Sequence, residues 1–208
     1  QPTMLKAVLN GYDRQTDDNF EIVIADDGST HQTRAVIEDF KGNTKFKVSH
    51  CWHEDDGFRA AEIRNKAVVQ CDSEYLVFSD GDCVPSNNFV ASHRAYSEAG
   101  FFLAGNRILC NRIFTANVVS ELENFWGFSF WQWLLKFYKG EINSFLPLLP
   151  FPNTSLRKLT PTRWSGVKTC NLSLWRKDFE KVNGLDESFQ GWGLEDSDLA
   201  VRLVNSKV

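Results

Sequence analysis

This chain lacks a basic excess: its 208 residues set 23 Lys and Arg against 27 Asp and Glu, for a formal charge of −4. A nucleic-acid footprint needs strong, clustered positive charge, so that class of partner is excluded. It also lacks a CxxC pair. The five cysteines, Cys51, Cys71, Cys83, Cys110 and Cys170, are odd in number and scattered. That argues against a disulfide framework or a zinc site and for a reducing, cytoplasmic setting, with each cysteine a small buried apolar residue. Gln1-Pro2-Thr3 is not followed by the charged start and apolar run of a signal peptide. The longest uncharged apolar stretch, Asn124 to Leu135, falls short of the roughly 20 residues that span a bilayer. No internal repeat, low-complexity segment or second domain is evident. Gln1 is not an initiator and the chain stops in mid-pattern at Asn205-Ser206-Lys207-Val208, so a piece of a longer protein is expected.

What is present reads as one domain, residues 1–208. Apolar residues are 42% and charged residues 24%, ordinary for a globular fold with a proper core. Met4, Leu5, Val8, Leu9 and Tyr12 recur at helical spacing. Phe20 to Ala25 is a short β-branched run, a buried strand. It ends at Asp26-Asp27-Gly28-Ser29-Thr30, which supplies capping residues for a helix bearing Val36, Ile37 and Phe40. Phe46 and Val48 mark a second strand, Ala60 to Val68 a helix, Tyr75 to Phe78 a third strand. A helix near Asn88 to Ser97 and a short strand, Phe101 to Ala104, follow. This alternation predicts an α/β fold with a mostly parallel central sheet flanked by helices. Aromatics are dense from Phe125 to Phe151, where Trp131, Trp133 and Tyr138 mix with Lys136 and Lys139. Within it, Phe125 to Leu149 reads as a core-packing helix or as a cover over an acceptor cleft that touches the inner membrane surface.

Ligands in such sheets bind at the carboxyl ends of strands, and two acidic clusters fall there. Asp80-Gly81-Asp82 is either a solvated turn or a pair of carboxylates for Mg²⁺ or Mn²⁺, which take oxygen ligands. Asp26 and Asp27 are more than one helix cap requires and offer acceptors to a base edge or a ribose hydroxyl. Glu195-Asp196 follows Gly191-Trp192-Gly193-Leu194. The tryptophan offers a flat face to a sugar ring, and a carboxylate beside it can act as a general base. The plainer reading is a pair of acids complementing a helix dipole. Arg59, Arg64 and Asn65 lie between the first two clusters, as phosphate ligands or surface residues. His53 opens a polar loop and is expected to be solvated. Asn171 and Ser173 fit a pocket or a plain strand equally well.

Read in order, these segments resemble the family 2 glycosyltransferases of the GT-A fold. The matching text is Glu21-Ile22-Val23-Ile24-Ala25-Asp26-Asp27-Gly28-Ser29, Arg64-Asn65-Lys66-Ala67, Phe78-Ser79-Asp80-Gly81-Asp82, Thr169 to Arg176, and Gly191-Trp192-Gly193-Leu194-Glu195-Asp196. The last is similar to the WGxED signature of galactosyltransferases and chondroitin-type polymerases; His53 to Asn65 looks like bacterial enzymes of lipopolysaccharide core and surface-glycan synthesis. The resemblance implies a nucleotide-binding half over 1–110 and an acceptor-binding half over 111–208. It implies that Asp26 or Asp27 holds uracil or ribose, that Arg64 helps bind the nucleotide, and that Asp80 touches ribose or metal while Asp82 ligates the metal. Asp196 becomes the catalytic base, assisted by Glu195, with Trp192 and Gly193 at the acceptor. A UDP-sugar donor, a saccharide or glycolipid acceptor and peripheral contact with the cytoplasmic face of the inner membrane follow as expectations. Two family features, a strand before the first helix and a histidine downstream of Glu195-Asp196, are missing from this sequence. Two rival readings stay open. Phe78 to Val84 also fits the DxDx(T/V) nucleophile motif of haloacid-dehalogenase phosphatases, and a non-catalytic sugar-binding module would keep the same fold.

Overall fold

The computed structural model describes residues 1–121, 124–148, 162–189, 191 and 193–208. The chain opens on α1 (Pro2–Asp13), where Pro2 is harmless because the first-turn N–H groups have no intrahelical partner. Ala7, Val8 and Leu9 are buried on it, and it packs against α2 (His31–Asn43) and α5 (Arg112–Val119). Between them, β1 (Glu21–Asp27) and β2 (Lys47–His53) pair in parallel with Glu21 opposite Lys47 and Asp27 opposite His53. α3 (Ala60–Gln70) covers both strands. Thr30 stands at the N-cap of α2, as its residue type predicts, but its side chain makes no capping bond. Ser29 instead donates its backbone N–H to Asp26 Oδ1 at 2.9 Å, so the strand's own acid orders the turn.

β3 (Tyr75–Ser79) leads past the Asp-Gly-Asp turn to α4 (Phe89–Ala95) and β4 (Leu103–Ala104). The parallel pairing expected from strand–helix alternation is seen in β1 and β2. β5 (Asn171–Trp175) runs antiparallel and sits between β3 and β4, because it returns from the far half of the chain and not through a single crossover helix. Among the described residues the two sheets share no ladder. Glu21 ties them instead: its Oε1 accepts from the backbone N–H of Asp72 and Ser73 at 2.7 and 2.9 Å and from the Ser73 hydroxyl at 2.9 Å.

After β5 come α7 (Arg176–Lys181) and α8 (Glu195–Asn205). One apolar core crosses residue 110: Ala61, Val68 and Leu76 meet Leu172, Leu174, Leu199 and Leu203 in it. The last four are 0% exposed, and burying a Leu side chain stabilises by about 1.5–3 kcal/mol, so this contact fixes α8 beneath β5. Toward solvent, α6 (Phe130–Tyr138) is capped by a reciprocal Ser129–Gln132 box and buries none of its residues; Trp131 is 73% and Tyr138 87% exposed. Its inner side does pack, with Trp133 edge-on against buried Phe114, so the core-packing reading holds for that side alone and the outer aromatic side stays uncovered among the described residues. No helix among the described residues is long and apolar enough to cross a membrane.

Candidate active site

Antiparallel pairing of β3 with β5 sets Ser79 opposite Asn171. The residues that follow Ser79 and those that precede Asn171 therefore emerge at the same edge of the sheet. Asp80 and Asp82 leave from one strand, Thr169 and Cys170 arrive on the other, and α8 brings its first turn to the same place. Arg64, on α3, joins them: its Nη2 donates to Asp80 Oδ1 at 3.0 Å and its Nη1 to Glu195 Oε1 at 3.3 Å. Thr169 donates its hydroxyl to Asp196 Oδ1 at 2.8 Å. Asp82 stands exposed beside them. Burial pushes the Asp80 carboxyl above the usual range, the nearby Asp82 and Asp196 push it further, and Arg64 opposes the shift. Five of the expected site residues, Arg64, Asp80, Asp82, Glu195 and Asp196, thus share one acidic cluster at the sheet edge.

The turn before α8 is held in an unusual shape. Gly191 and Gly193 have φ of 88° and 99°, and Leu194 is left-handed at 78°, a conformation that costs a non-glycine residue about 1 kcal/mol or more. Leu194 is 70% exposed, so the turn gains no burial from it. What the turn does achieve is to bury Glu195, whose side chain is 9% exposed. Its Oε2 finds no hydrogen-bond donor among the described residues. Asn65 braces the approach to this turn by donating to the Leu185 carbonyl at 2.8 Å and accepting from its N–H at 3.0 Å. Trp192, expected at the acceptor, lies outside the described residues; Gly193 is half-buried.

Asp26 and Asp27 form a second cluster at the ends of β1 and β2. Asp26 Oδ2 meets His50 Nε2 at 2.8 Å, and Asp27 Oδ1 meets His53 Nε2 at 2.5 Å. Burial opposes ionisation of Asp26, but the hydrogen bonds from Ser29 and His50 outweigh it and hold its pKa below the usual range. Asp27 Oδ2 accepts the Arg59 N–H at 2.7 Å, which anchors the start of α3. Arg64 lies further along the same helix, so α3 connects the two clusters. His53 is not the solvated loop residue its surroundings predict: it closes β2, its side chain is 9% exposed, and strand register holds it against Asp27. Gly28, with φ at 77°, lies so close to the Asp55 backbone that a Cβ would collide with it. Beside Asp26, a cleft is lined by Ser29, Thr30, His31, Arg34 and Trp52.

Sequence reasoning missed Thr169 and His50, which reveal themselves only through pairing. Asn171 and Ser173 belong to a structural network: His93 bridges Ser173 Oγ at 2.7 Å and Asn171 Oδ1 at 3.0 Å, and Tyr75 reaches Ser173 at 2.8 Å. Of the cysteines, only Cys51 and Cys170 are buried, against the expectation for all five. Cys83 and Cys170 come together beside Asp80. The Cys83 S–H donates to Asp82 Oδ1 at 3.5 Å, and the nearness of Cys83 and Arg107 draws the Cys170 thiol down. The nearness of Cys170, burial and Asp82 push Cys83 up.

A family model described as "Glycosyl transferase family 2" matches residues 2–157, and one described as "N-terminal domain of galactosyltransferase" matches residues 155–208. Validoxylamine A glucosyltransferase of Streptomyces hygroscopicus subsp. jinggangensis is 28% identical over 96% of this chain and 48% of its own length. Chondroitin synthase of Pasteurella multocida is 22% identical over 91% of this chain and 20% of its own. The O-antigen biosynthesis protein RfbC of Myxococcus xanthus is 26% identical over 98% of this chain and 15% of its own. The chain spans about half or less of the length of these curated relatives. With an α/β architecture of the GT-A type and a family match over most of its length, the chain belongs to glycosyl transferase family 2.

Proposed function

We propose that this domain moves a sugar from a UDP-sugar donor to a saccharide or glycolipid acceptor, with inversion at the anomeric carbon, in the synthesis of a bacterial surface polysaccharide. The observation that carries this reading is the double contact of Arg64, which gathers the Asp80 turn and the Glu195-Asp196 turn at one sheet edge. Donor chemistry belongs to the first turn and acceptor chemistry to the second, consistent with a nucleotide-binding half over 1–110 and an acceptor-binding half over 111–208.

Asp80 and Asp82 offer oxygen ligands at one turn, Asp82 from an exposed position and Asp80 with one countercharge already supplied by Arg64. That donor set fits Mg²⁺ or Mn²⁺, which bind through one or two carboxylates plus phosphate oxygens. When bound, such an ion neutralises the diphosphate and makes it a better leaving group. Arg64 faces the same phosphates, where a guanidinium makes forked contacts. Asp26 and Asp27 hold uracil or ribose through their remaining lone pairs, with Trp52 as the exposed face of that cleft. Asp196 takes the proton of the attacking hydroxyl on Oδ2, since Thr169 holds Oδ1 in place. Glu195 Oε2, lacking a donor, accepts from another acceptor hydroxyl, and Trp192 and Gly193 cover the ring.

The exposed aromatic face of α6, with exposed Lys139 just past its end, suits a lipid-linked acceptor at the cytoplasmic face of the inner membrane; Lys136 lies on the inner side, paired with Glu141 at 2.7 Å. Flotation with anionic vesicles tests that contact, and absence of co-flotation would remove it. The main test is turnover on a panel of nucleotide sugars with Mn²⁺. UDP release supports the transferase, phosphate release from phosphoesters would replace it with a phosphatase, and binding without turnover would replace it with a sugar-binding module.

A further inference from the structure

Asp80, Cys83 and Cys170 bring one oxygen and two sulfur atoms within 4.8 Å of one another. It is the one group among the described residues in which three such side chains converge this closely. The convergence follows from the fold. Cys83 sits just past Asp82 in the acidic turn, where the Asp80 carbonyl accepts its N–H at 3.1 Å. Cys170 immediately precedes β5, and the β3–β5 register brings it to the same edge. Cys83 is half-buried and opens beside exposed Asp82, whereas Cys170 is 5% exposed and backs it from below. A cation can therefore reach the pair from the solvent side.

The composition of this group differs from that of Asp80 with Asp82. Mg²⁺ and Mn²⁺ prefer oxygen, whereas sulfur selects zinc and softer ions. A tetrahedral zinc ion with Zn–S distances of about 2.3 Å holds its sulfurs about 3.8 Å apart. That spacing is compatible with ligand atoms that all lie within 4.8 Å of one another. Each ligating thiol gives its proton to solvent and no electron moves. Asp80 cannot serve both ions at full strength.

We propose that Asp80, Cys83 and Cys170 form a second, thiolate-type cation site that takes Zn²⁺ and, by withdrawing Asp80, displaces the oxygen-bound metal of the donor site. Only the displacement rests on the function proposed above; the ligation itself does not.

The test uses the reduced chain with Co²⁺ as a spectroscopic probe. Wild type is expected to bind one Co²⁺ with a thiolate-to-cobalt absorption band that Zn²⁺ abolishes. Cys83→Ser and Cys170→Ser should each lose most of that band, and Asp80→Asn should weaken Co²⁺ binding by about tenfold. Cys51→Ser and Cys71→Ser should leave it unchanged, and circular dichroism of each variant checks folding. No band in wild type, or an equal band in a folded Cys83→Ser/Cys170→Ser double variant, would overturn the site. A second arm follows bound Mn²⁺ by electron paramagnetic resonance in the presence of UDP. Zinc should release Mn²⁺ from wild type at near-stoichiometric amounts and not from the double variant. Release that is equal in both would overturn the displacement, whereas failure of zinc-free wild type to bind Mn²⁺ at all would sink the donor-metal reading and leave the cobalt result standing.

Discussion

Arg64 and Glu195, 131 residues apart along the chain, meet through Nη1 and Oε1 at 3.3 Å. Arg64→Ala would leave a nearly buried carboxylate without its countercharge. Breaking such a pair costs about 3–5 kcal/mol, and the lower end is expected because Arg64 is itself 18% exposed. Glu195→Gln in the Arg64→Ala background should recover much of the loss. Urea unfolding of the four proteins completes a double-mutant cycle, and purely additive losses would mean that the pair does not interact.

Asp82→Ala is expected to lower UDP affinity in the presence of Mn²⁺ by about 100-fold, close to 2.8 kcal/mol. Titration calorimetry with and without chelator measures it. If chelator leaves wild-type affinity unchanged, the metal reading fails.

The proposed inverting displacement would leave the protein one proton to remove, and Asp80 and Asp82 could not remove it while holding the proposed cation. Asp196→Asn should therefore cut kcat by about 10²–10⁴-fold and keep UDP-sugar affinity. Thr169→Val loses only the hydrogen bond that orients Oδ1, so a fall of about tenfold or less is expected. Product NMR should give an inverted anomeric centre; retention, or wild-type turnover by Asp196→Asn, would exclude this base.

Glu21 gives a pH signature. Burial alone would raise its pKa, but Lys47, Ser73 and the Asp72 N–H outweigh that and bring it down to about 2 from 4.5. A depressed folded-state pKa means stability present above 4.5 and lost as pH falls from 4.5 toward 2. Glu21→Gln should destabilise the domain at pH 7 by on the order of 2 kcal/mol, the value of a charge-assisted hydrogen bond. Denaturant midpoints of the two proteins should converge as the pH approaches 2. A gap that stays constant down to that pH would remove Glu21 as the cause.

Much of this was legible in the residues. Each strand and helix of the first half lies within a few residues of where periodicity puts it, because Val8, Ile37, Ile63 and Leu76 mark their buried faces directly. Both acidic turns fall at strand ends for the same reason. What could not be read was lateral. His53 is polar and lies beside acidic neighbours, so only the register of β1 against β2 turns it inward. Cys83 and Cys170 share no local motif, and they meet because one strand leaves the edge where another arrives. Thr169 carries no chemical mark until Asp196 is seen opposite it. The antiparallel course of β5 was likewise hidden, since a five-residue strand such as Asn171 to Trp175 states neither its partner nor its direction.

The central place of β5 has a consequence for synthesis. β3 emerges from the ribosome with one edge waiting for a strand that begins at Asn171, and residues 80–170 must be translated first. At about 5–20 residues per second that interval is roughly 5–20 s. Throughout it Leu76 and Phe78 lack Leu174 and Leu172 across the ladder, and an unpaired apolar edge invites pairing with other chains. The nascent domain thus stays exposed to aggregation until its last quarter is made, and a truncation before Asn171 should yield insoluble protein and not a smaller nucleotide-binding unit.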